Sequence, residues 1–324
     1  MGVLLWILLA AGILLVLYFL FAGLLFNQAV ASRPLPLPHF VTAAFRSGDD
    51  SDPYFDKVRA AEKEVFALGL SELSILSYDG LKLRAYYYKN PQQTGKLVIL
   101  SHGMRSSGTG EFAFLHRYYV ARGFDLLFVD HRACGRSEGK YLGYGYLESR
   151  DLISWAQFAN QLYENRVRIY MHGVSMGAAA VLLASADKSL PANVQSVVSD
   201  CAYTSMRAEF AWQVKKVVHL HTPLLLKFVD LWCGMCAHYR FKNASPLDAV
   251  RQARVPVLFV HGDADDYVPF AMQEELYIAC TAKKSKTVIH GASHARSYFT
   301  DTPAYETALD VFFSDTEQPA IPLV

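Results

Sequence analysis

The chain has 324 residues and a formal net charge of +1, from 31 basic and 30 acidic side chains. This near-neutral balance does not indicate a nucleic-acid partner, and the sequence contains no internal repeat or low-complexity tract. The five cysteines are an odd number spread along a long chain, which does not predict a disulfide framework.

The N-terminal residues 3–26 include no Asp, Glu, Lys, Arg or His. As a helix this segment would be about 36 Å long, enough to cross a bilayer with some tilt. A cleaved secretory signal is the alternative, because residues 29–31 offer a small-x-small cleavage site, but the apolar run is longer than a signal core and no basic side chain precedes it. The sequence therefore predicts a single-pass anchor in the cell membrane. Basic residues flanking it are too few to fix which side of the membrane carries the rest of the chain.

Residues 27–59 are predicted to be a juxtamembrane linker, in which the proline-rich stretch 33–38 forms a stiff, extended spacer. Residues 60–324 are predicted to form one α/β domain, large enough for a substantial core.

Within this domain, apolar runs alternate with amphipathic stretches. A hairpin is predicted over 73–88, turning at Asp79 and Gly80. Buried strands are predicted over 96–101, 124–129, 167–171, 194–199, 255–260 and 286–289, and helices over 111–122, 148–163, 176–186, 269–282 and 303–313. This alternation predicts a mostly parallel sheet with helices on both faces, and such sheets bind ligands beyond the carboxyl ends of their strands.

The sequence Gly173-Val-Ser-Met-Gly177 lies between a predicted strand and a small-residue helix. This order suits a serine nucleophile, because Ser175 would occupy a sharp strand-to-helix turn and the two glycines would let strand and helix approach closely. The motif alone has little specificity. Asp265, His294 and His102 follow three other predicted strands, so all four groups are expected at the same edge of the sheet.

Five motifs in this part of the chain are Ser101-His-Gly-Met104, Asp130-His-Arg-Ala-Cys-Gly-Arg-Ser137, Gly173-Val-Ser-Met-Gly177, His261-Gly-Asp-Ala-Asp-Asp-Tyr-Val-Pro269 and Gly291-Ala-Ser-His294. In these motifs, and over roughly residues 73–313, the chain resembles the serine hydrolases of the α/β-hydrolase fold. It looks closest to membrane-anchored bacterial members of the group that includes serine aminopeptidase-like and cinnamoyl-esterase-like enzymes.

The resemblance implies a catalytic triad of Ser175 as nucleophile, His294 as base and Asp265 as the carboxylate that orients the histidine. His290 is the competing histidine. Asp263 and Asp266 are the competing carboxylates, and both are expected to be turn formers.

The resemblance also implies that the backbone N–H groups of Met104 and Met176 stabilise the oxyanion. His102 is expected to fix the oxyanion loop. The chemistry needs no metal ion or organic cofactor.

A helical cap is expected over residues 203–243, where the strand–helix alternation lapses. Its second helix is predicted to start with Thr222 as N-cap and Pro223 at the first helical position. Cys233 and Cys236, with His238, have the spacing of metal or redox ligands, but packing inside a helix is the favoured interpretation.

These features predict a membrane-tethered serine hydrolase that cleaves a carboxylic ester or related acyl bond through an acyl-enzyme, with a small-molecule or lipid-like acyl substrate. Peptidase, thioesterase and lipase activity use the same apparatus. A catalytically inactive, membrane-tethered binding scaffold is the alternative from a different class.

Overall fold

A computed structural model describes residues 2–36, 52–218 and 223–316 of the chain. Its centre is an eight-stranded sheet with the order β1-β2-β4-β3-β5-β6-β7-β8. The strands β1 to β8 are, in chain order, Ser71–Leu76, Lys82–Tyr88, Lys96–Ser101, Phe124–Asp130, Arg168–Val174, Val194–Asp200, Val257–Gly262 and Lys284–Ile289. Strands β1 and β2 pair antiparallel, β2 pairs antiparallel with β4, and all other pairs are parallel. The predicted α/β-hydrolase architecture is confirmed.

Burial explains why the central strands could be predicted from the sequence. Every residue of β4, β6 and β7 is buried, because helices cover both faces of the sheet. The edge strand β1 instead alternates between exposed and half-buried residues, and β8 at the opposite edge is mostly half-buried. The continuous apolar runs therefore mark the strands at the centre of the sheet.

Helices lie between most strands. Their bounds are Gly108–Glu111, His116–Ala121, Tyr146–Leu162, Met176–Ala186, Pro246–Val250, Ala271–Ala279, Ser297–Thr300 and Thr302–Thr316. The single helix predicted over 111–122 is wrong in detail, since two short helices take its place. The other predicted helices are present, with ends that differ by a few residues.

The helix Pro53–Ala67 was not predicted and crosses the expected linker–domain boundary at residue 60. Asp52 caps it by accepting a hydrogen bond from the Tyr54 amide, and Pro53 occupies its first position. Part of the predicted linker, 37–51, lies outside the described residues, as do residues 317–324.

The N-terminal helix is Gly2–Val30. Residues 2–17 are exposed, as are Leu20 and Phe21, whereas six of the last nine residues are buried against the domain. The helix is long and apolar enough to cross a membrane, and it continues past the predicted end of the anchor at residue 26.

The cap contains two α-helices, Met206–Val218 and Pro223–Trp232, followed by a π-helical turn, Cys233–Ala237, and a 3₁₀ turn, Phe241–Asn243. The second helix begins at Pro223 as predicted, while its expected cap Thr222 lies outside the described residues. Side chains of the second helix pack with the end of the N-terminal helix in one apolar cluster that includes Phe26, Leu225, Val229 and Cys233. The N-terminal helix is thus part of the cap's core.

Candidate active site

Ser175 lies on a strained turn between β5 and the helix Met176–Ala186. Its backbone has φ 55° and ψ −116°, a conformation that non-glycine residues rarely adopt. A Cβ on Gly177 would lie 1.9 Å from the Ser101 carbonyl oxygen, and one on Gly173 would lie 2.2 Å from that of Gly177. Only glycine fits at either position, so the Gly-x-Ser-x-Gly pattern has a steric cause.

The three predicted triad residues come together at the carboxyl edge of the sheet. His294 Nε2 lies 2.9 Å from Ser175 Oγ, and His294 Nδ1 lies 2.7 Å from Asp265 Oδ2. Asp265 is in the loop after β7, and His294 is in the loop after β8. The arrangement links a hydroxyl, an imidazole and a carboxylate in one hydrogen-bonded chain.

Four donors surround the Asp265 carboxylate. The Tyr267 and Val268 amides donate to Oδ1, at 2.9 and 2.8 Å. His261 Nε2 lies 3.1 Å from Oδ2, the oxygen that also contacts His294. Burial alone would raise the pKa of Asp265, but the hydrogen bonds from His261 and His294 outweigh it and hold this pKa well below its usual value. The carboxylate is therefore ionised throughout the neutral range.

Burial alone would lower the pKa of His294, but the hydrogen bond and charge of Asp265 outweigh it, so the pKa lies above its usual value. Glu209 and Glu111 raise it further through their charges. The Tyr267 ring lies beside the imidazole, with ring centroids 4.9 Å apart.

The competing residues lie elsewhere. His290 is exposed and contacts Asp263 at 2.7 Å, and Asp263 also accepts a hydrogen bond from the Gly291 amide. Asp266 is exposed on the cavity rim, with its carboxylate 3.6 Å from Lys216 Nζ. Neither aspartate contacts His294, so Asp265 is the carboxylate that pairs with it.

Met104 lies in the loop after β3, and Met176 directly follows Ser175 at the first position of the helix Met176–Ala186; both line the same cavity as Ser175. Within the described part of the chain, neither backbone N–H donates a hydrogen bond. His102 is fully buried and accepts a hydrogen bond from the His131 amide at Nε2, so Nδ1 carries the proton and donates to the Gly103 carbonyl at 2.6 Å. The imidazole thus braces the loop that carries Met104, as expected.

A cavity of about 1190 Å³ opens over Ser175 and His294. Its walls include the end of the N-terminal helix with residues 34–36, the helix Pro53–Ala67, the loop after β3, the first cap helix, and the two loops that carry Asp266 and His294. The site is therefore large and bounded by elements distant in sequence.

Three functional residues were missed by sequence reasoning. His261, in the His-Gly-x-x-Asp motif, donates to the triad carboxylate. Glu209, on the first cap helix, lines the cavity, and its Oε2 has no hydrogen-bond partner among the described residues. Burial raises the pKa of Glu209 to about 7. Arg105, directly after Met104, binds the end of the N-terminal helix.

A metal site is poorly supported at this edge of the sheet. In the described ranges, the one cluster with ligand spacing is Cys201 with Asp265 and His294, whose ligand atoms lie within 4.8 Å of one another. Burial holds the pKa of the Cys201 thiol well above its usual value, and both oxygens of Asp265 already accept hydrogen bonds. This donor set does not suit a metal ion.

Comparison with known proteins agrees with this fold. Residues 92–234 match the family model described as "Serine aminopeptidase, S33". The chain is 27% identical over 270 residues to the uncharacterized protein YqkD of Bacillus subtilis, which covers 83% of this chain and 85% of that protein. The Pyrococcus furiosus esterase Pf2001 has the same fold, with a TM-score of 0.64 and 20% identity over 84% of this chain and 97% of the esterase. The chain therefore has the α/β-hydrolase fold, and residues 92–234 resemble this family of hydrolases.

This α/β hydrolase is also similar to the uncharacterized membrane protein YNL320W of Saccharomyces cerevisiae. The two are 24% identical over 217 residues, which covers 66% of this chain and 69% of the yeast protein.

Proposed function

We propose that this hydrolase is a membrane-anchored serine esterase that cleaves a carboxylic ester through an acyl-enzyme, with Ser175, His294 and Asp265 as its triad. The observation that carries the proposal is the continuous hydrogen-bonded chain from Ser175 Oγ through both nitrogens of His294 to Asp265. A hydroxyl becomes a useful nucleophile only when a base within reach takes its proton, and His294 has that geometry.

In the first step, Ser175 Oγ attacks the ester carbonyl carbon while His294 Nε2 takes the hydroxyl proton. Asp265 stabilises the imidazolium that forms. The carbonyl oxygen becomes an oxyanion, which accepts hydrogen bonds from the Met104 and Met176 amides. When the C–O bond of the ester breaks, His294 gives its proton to the departing alkoxide, and an alcohol leaves.

In the second step, water attacks the acyl-serine while His294 takes one of its protons. The acyl–Oγ bond then breaks, the proton returns to Oγ, and a carboxylic acid leaves. One ester and one water therefore give one alcohol and one acid, with the serine regenerated.

Ester cleavage is favoured by the Pyrococcus protein, which is named an esterase. Peptide cleavage is the second candidate, because the matching family model is described as a serine aminopeptidase. Both reactions use the same triad and differ in the leaving group. The choice between ester and peptide cleavage therefore depends on the substrate and not on the mechanism.

Membrane anchoring rests on the exposed part of the N-terminal helix, whose length and apolarity suit a bilayer. A cleaved signal would leave the cap without part of its packing, because Ala22, Phe26 and Val30 are buried against the domain. This burial favours an anchor that stays attached.

The test is labelling of the detergent-solubilised full chain with a fluorophosphonate probe. Wild type should be labelled, Ser175→Ala should not, and Ser154→Ala should be labelled like wild type, because Ser154 is half-buried on the helix Tyr146–Leu162, outside the cavity lining. A panel of nitrophenyl esters and aminoacyl amides then separates esterase from peptidase. Labelling that persists in Ser175→Ala would contradict the proposal.

A further inference from the structure

The exposed part of the N-terminal helix fixes where a membrane would lie. Residues 2–21 carry nearly all of the exposed apolar side chains of this helix, and burial against the domain begins at Ala22. Twenty residues of helix span about 30 Å, which equals the hydrocarbon thickness of a bilayer. The hydrocarbon boundary on the domain side therefore falls close to Phe21.

Aromatic side chains cluster at this boundary. The Trp232 indole stacks on Phe19 with centroids 5.0 Å apart and donates a hydrogen bond to the Phe19 carbonyl at 3.0 Å. Phe228 contacts both Tyr18 and Phe19. Aromatic rings of this kind are enriched at membrane–water interfaces.

The second cap helix also presents apolar side chains to the outside. Leu224 and Leu231 on this helix, and Met235 on the π-helical turn that follows it, are 46%, 37% and 52% exposed, and the helix packs along the N-terminal helix. A bilayer around the N-terminal helix would also cover exposed apolar side chains of this neighbouring helix.

The rim of the substrate cavity lies just beyond this boundary. Gln28 lines the cavity, seven residues after Phe21, which is about 10 Å along the helix. Leu35 and Pro36 line the cavity and are exposed, so they stand at its rim. Asn27 Oδ1 accepts from the Leu35 amide at 2.7 Å, and Gln28 Nε2 donates to the Leu35 carbonyl at 2.8 Å, so the rim is fastened to the helix end.

Arg105 fastens the other side of the cavity to the same helix. Its guanidinium donates to the Gln28 carbonyl and, at 3.1 Å, to the Ala31 carbonyl. These contacts hold the loop that carries Met104 against the domain-side end of the N-terminal helix.

We propose that the cavity takes its substrate from the bilayer, and that the substrate is an amphiphilic acyl ester. Its tail stays in the membrane while its ester bond, at headgroup depth, passes Leu35 and Pro36 to reach Ser175. The headgroup layer is about 5–7 Å deep on each side, so an amphiphile needs to move only a few ångströms out of the bilayer to enter the cavity. This inference rests on the proposed esterase function and adds the substrate class and its route.

The test compares delivery within and between vesicles. The full chain is reconstituted into phosphatidylcholine vesicles, and nitrophenyl palmitate is placed either in the same vesicles or in separate ones. Entry from the bilayer predicts initial hydrolysis at least about tenfold faster in the shared vesicles, because transfer through water is then avoided. Nitrophenyl butyrate, which is largely dissolved in water, should give equal rates in the two arrangements.

A rim variant provides the second measurement. Leu35→Glu places a charge at the rim and should lower the ratio of palmitate to butyrate turnover by about tenfold in the shared vesicles. Leu76→Glu is the matched control, because Leu76 is an exposed leucine on the edge strand β1, outside the cavity lining, and it should leave the ratio within about twofold of wild type.

The outcomes separate the two proposals. If butyrate is hydrolysed but palmitate reacts equally fast in shared and separate vesicles, entry from the bilayer is overturned while the esterase function stands. If neither ester is hydrolysed and the fluorophosphonate does not label Ser175, the function is overturned and the substrate class with it.

Discussion

His261 and His294 contact the same carboxylate oxygen. Their ring nitrogens Nε2 and Nδ1 lie 3.1 and 2.7 Å from Asp265 Oδ2. His261 is fully buried, and its Nδ1 has no partner among the described residues, so its proton is on Nε2, between Asp265 and the Val268 carbonyl. The Asp265 carboxylate is thus held from both sides.

Replacing His261 should loosen this carboxylate. We expect His261→Phe to lower the free energy of unfolding by about 1.5–3 kcal/mol, the cost of losing a hydrogen bond to a charged group, and to lower kcat by about tenfold. His261→Gln keeps an N–H donor and should recover part of both. Urea unfolding in detergent and ester kinetics measure the effects. A His261→Phe variant that is as stable and as active as wild type would show that His261 does not support the site.

Asp265→Asn tests the carboxylate itself. The amide oxygen still accepts from Tyr267 and Val268, so the loop should fold, but His294 loses the partner that selects its tautomer. We expect kcat to fall by roughly 10³–10⁴-fold. Asp263→Asn is the matched control, because Asp263 contacts the exposed His290, and its kinetics should match wild type. Equal activity losses in the two variants would point to a folding defect.

The pH profile follows from the raised pKa of His294. The imidazole must be neutral to act as base, so kcat/KM should rise with pH through a midpoint above about 6.5. Glu209→Gln removes a nearby negative charge and should shift this midpoint to lower pH. A midpoint below 6.5 in wild type, measured with nitrophenyl butyrate from pH 5 to 9, would contradict the assignment.

The free energy of unfolding should also depend on pH because of the raised pKa of His294. Because the pKa of His294 is raised on folding, its stabilising contribution is complete below about pH 6.5 and is lost as the pH rises through the folded-state pKa.

The titration of Glu209 also makes the folded chain less stable as the pH rises. The pKa of Glu209 is about 7 when folded and about 4.3 when unfolded, so the folded chain retains a proton that the unfolded chain has lost between these values. We expect Glu209→Gln to exceed wild type in unfolding free energy by up to about 3 kcal/mol at pH 8, with little difference near pH 4. An advantage that does not change with pH would show that Glu209 titrates normally.

Arg105 should couple the N-terminal helix to catalysis. Arg105→Ala leaves the Gln28 and Ala31 carbonyls without this donor and frees the loop that carries Met104, so we expect kcat to fall about tenfold with KM changed less. Arg136→Ala is the control, because Arg136 pairs with Glu72 at the surface. Normal kcat in Arg105→Ala would show that the loop holds its position without the helix.

The sequence predicted those parts of the fold whose signals are local. The strand Lys96–Ser101 and the helix Met176–Ala186 match their predicted bounds, because an unbroken apolar run and a small-residue run are each bounded by clear breaks. The helix Pro53–Ala67 had a local signal as well, in Asp52 and Pro53, but its position between a proline-rich stretch and the domain favoured a linker.

Other features depend on packing between distant elements. Arg105 contacts the end of the N-terminal helix, which is more than 70 residues away in the sequence. Its backbone has a left-handed conformation with φ 58°, and no local motif predicts this conformation. Glu209 is buried only because its helix folds over the cavity. Burial and long-range contacts of this kind leave no periodic signal in a sequence, so such residues are found from the structure.

Trapping the acyl-enzyme tests the central claim most directly. Wild type is mixed with nitrophenyl butyrate, quenched in acid within the first turnover, digested with trypsin and analysed by mass spectrometry. The account predicts a butyryl group on Ser175, in the peptide 169–188, and none in Ser175→Ala. Ester hydrolysis with no adduct on Ser175, or with the adduct on another residue, would contradict it.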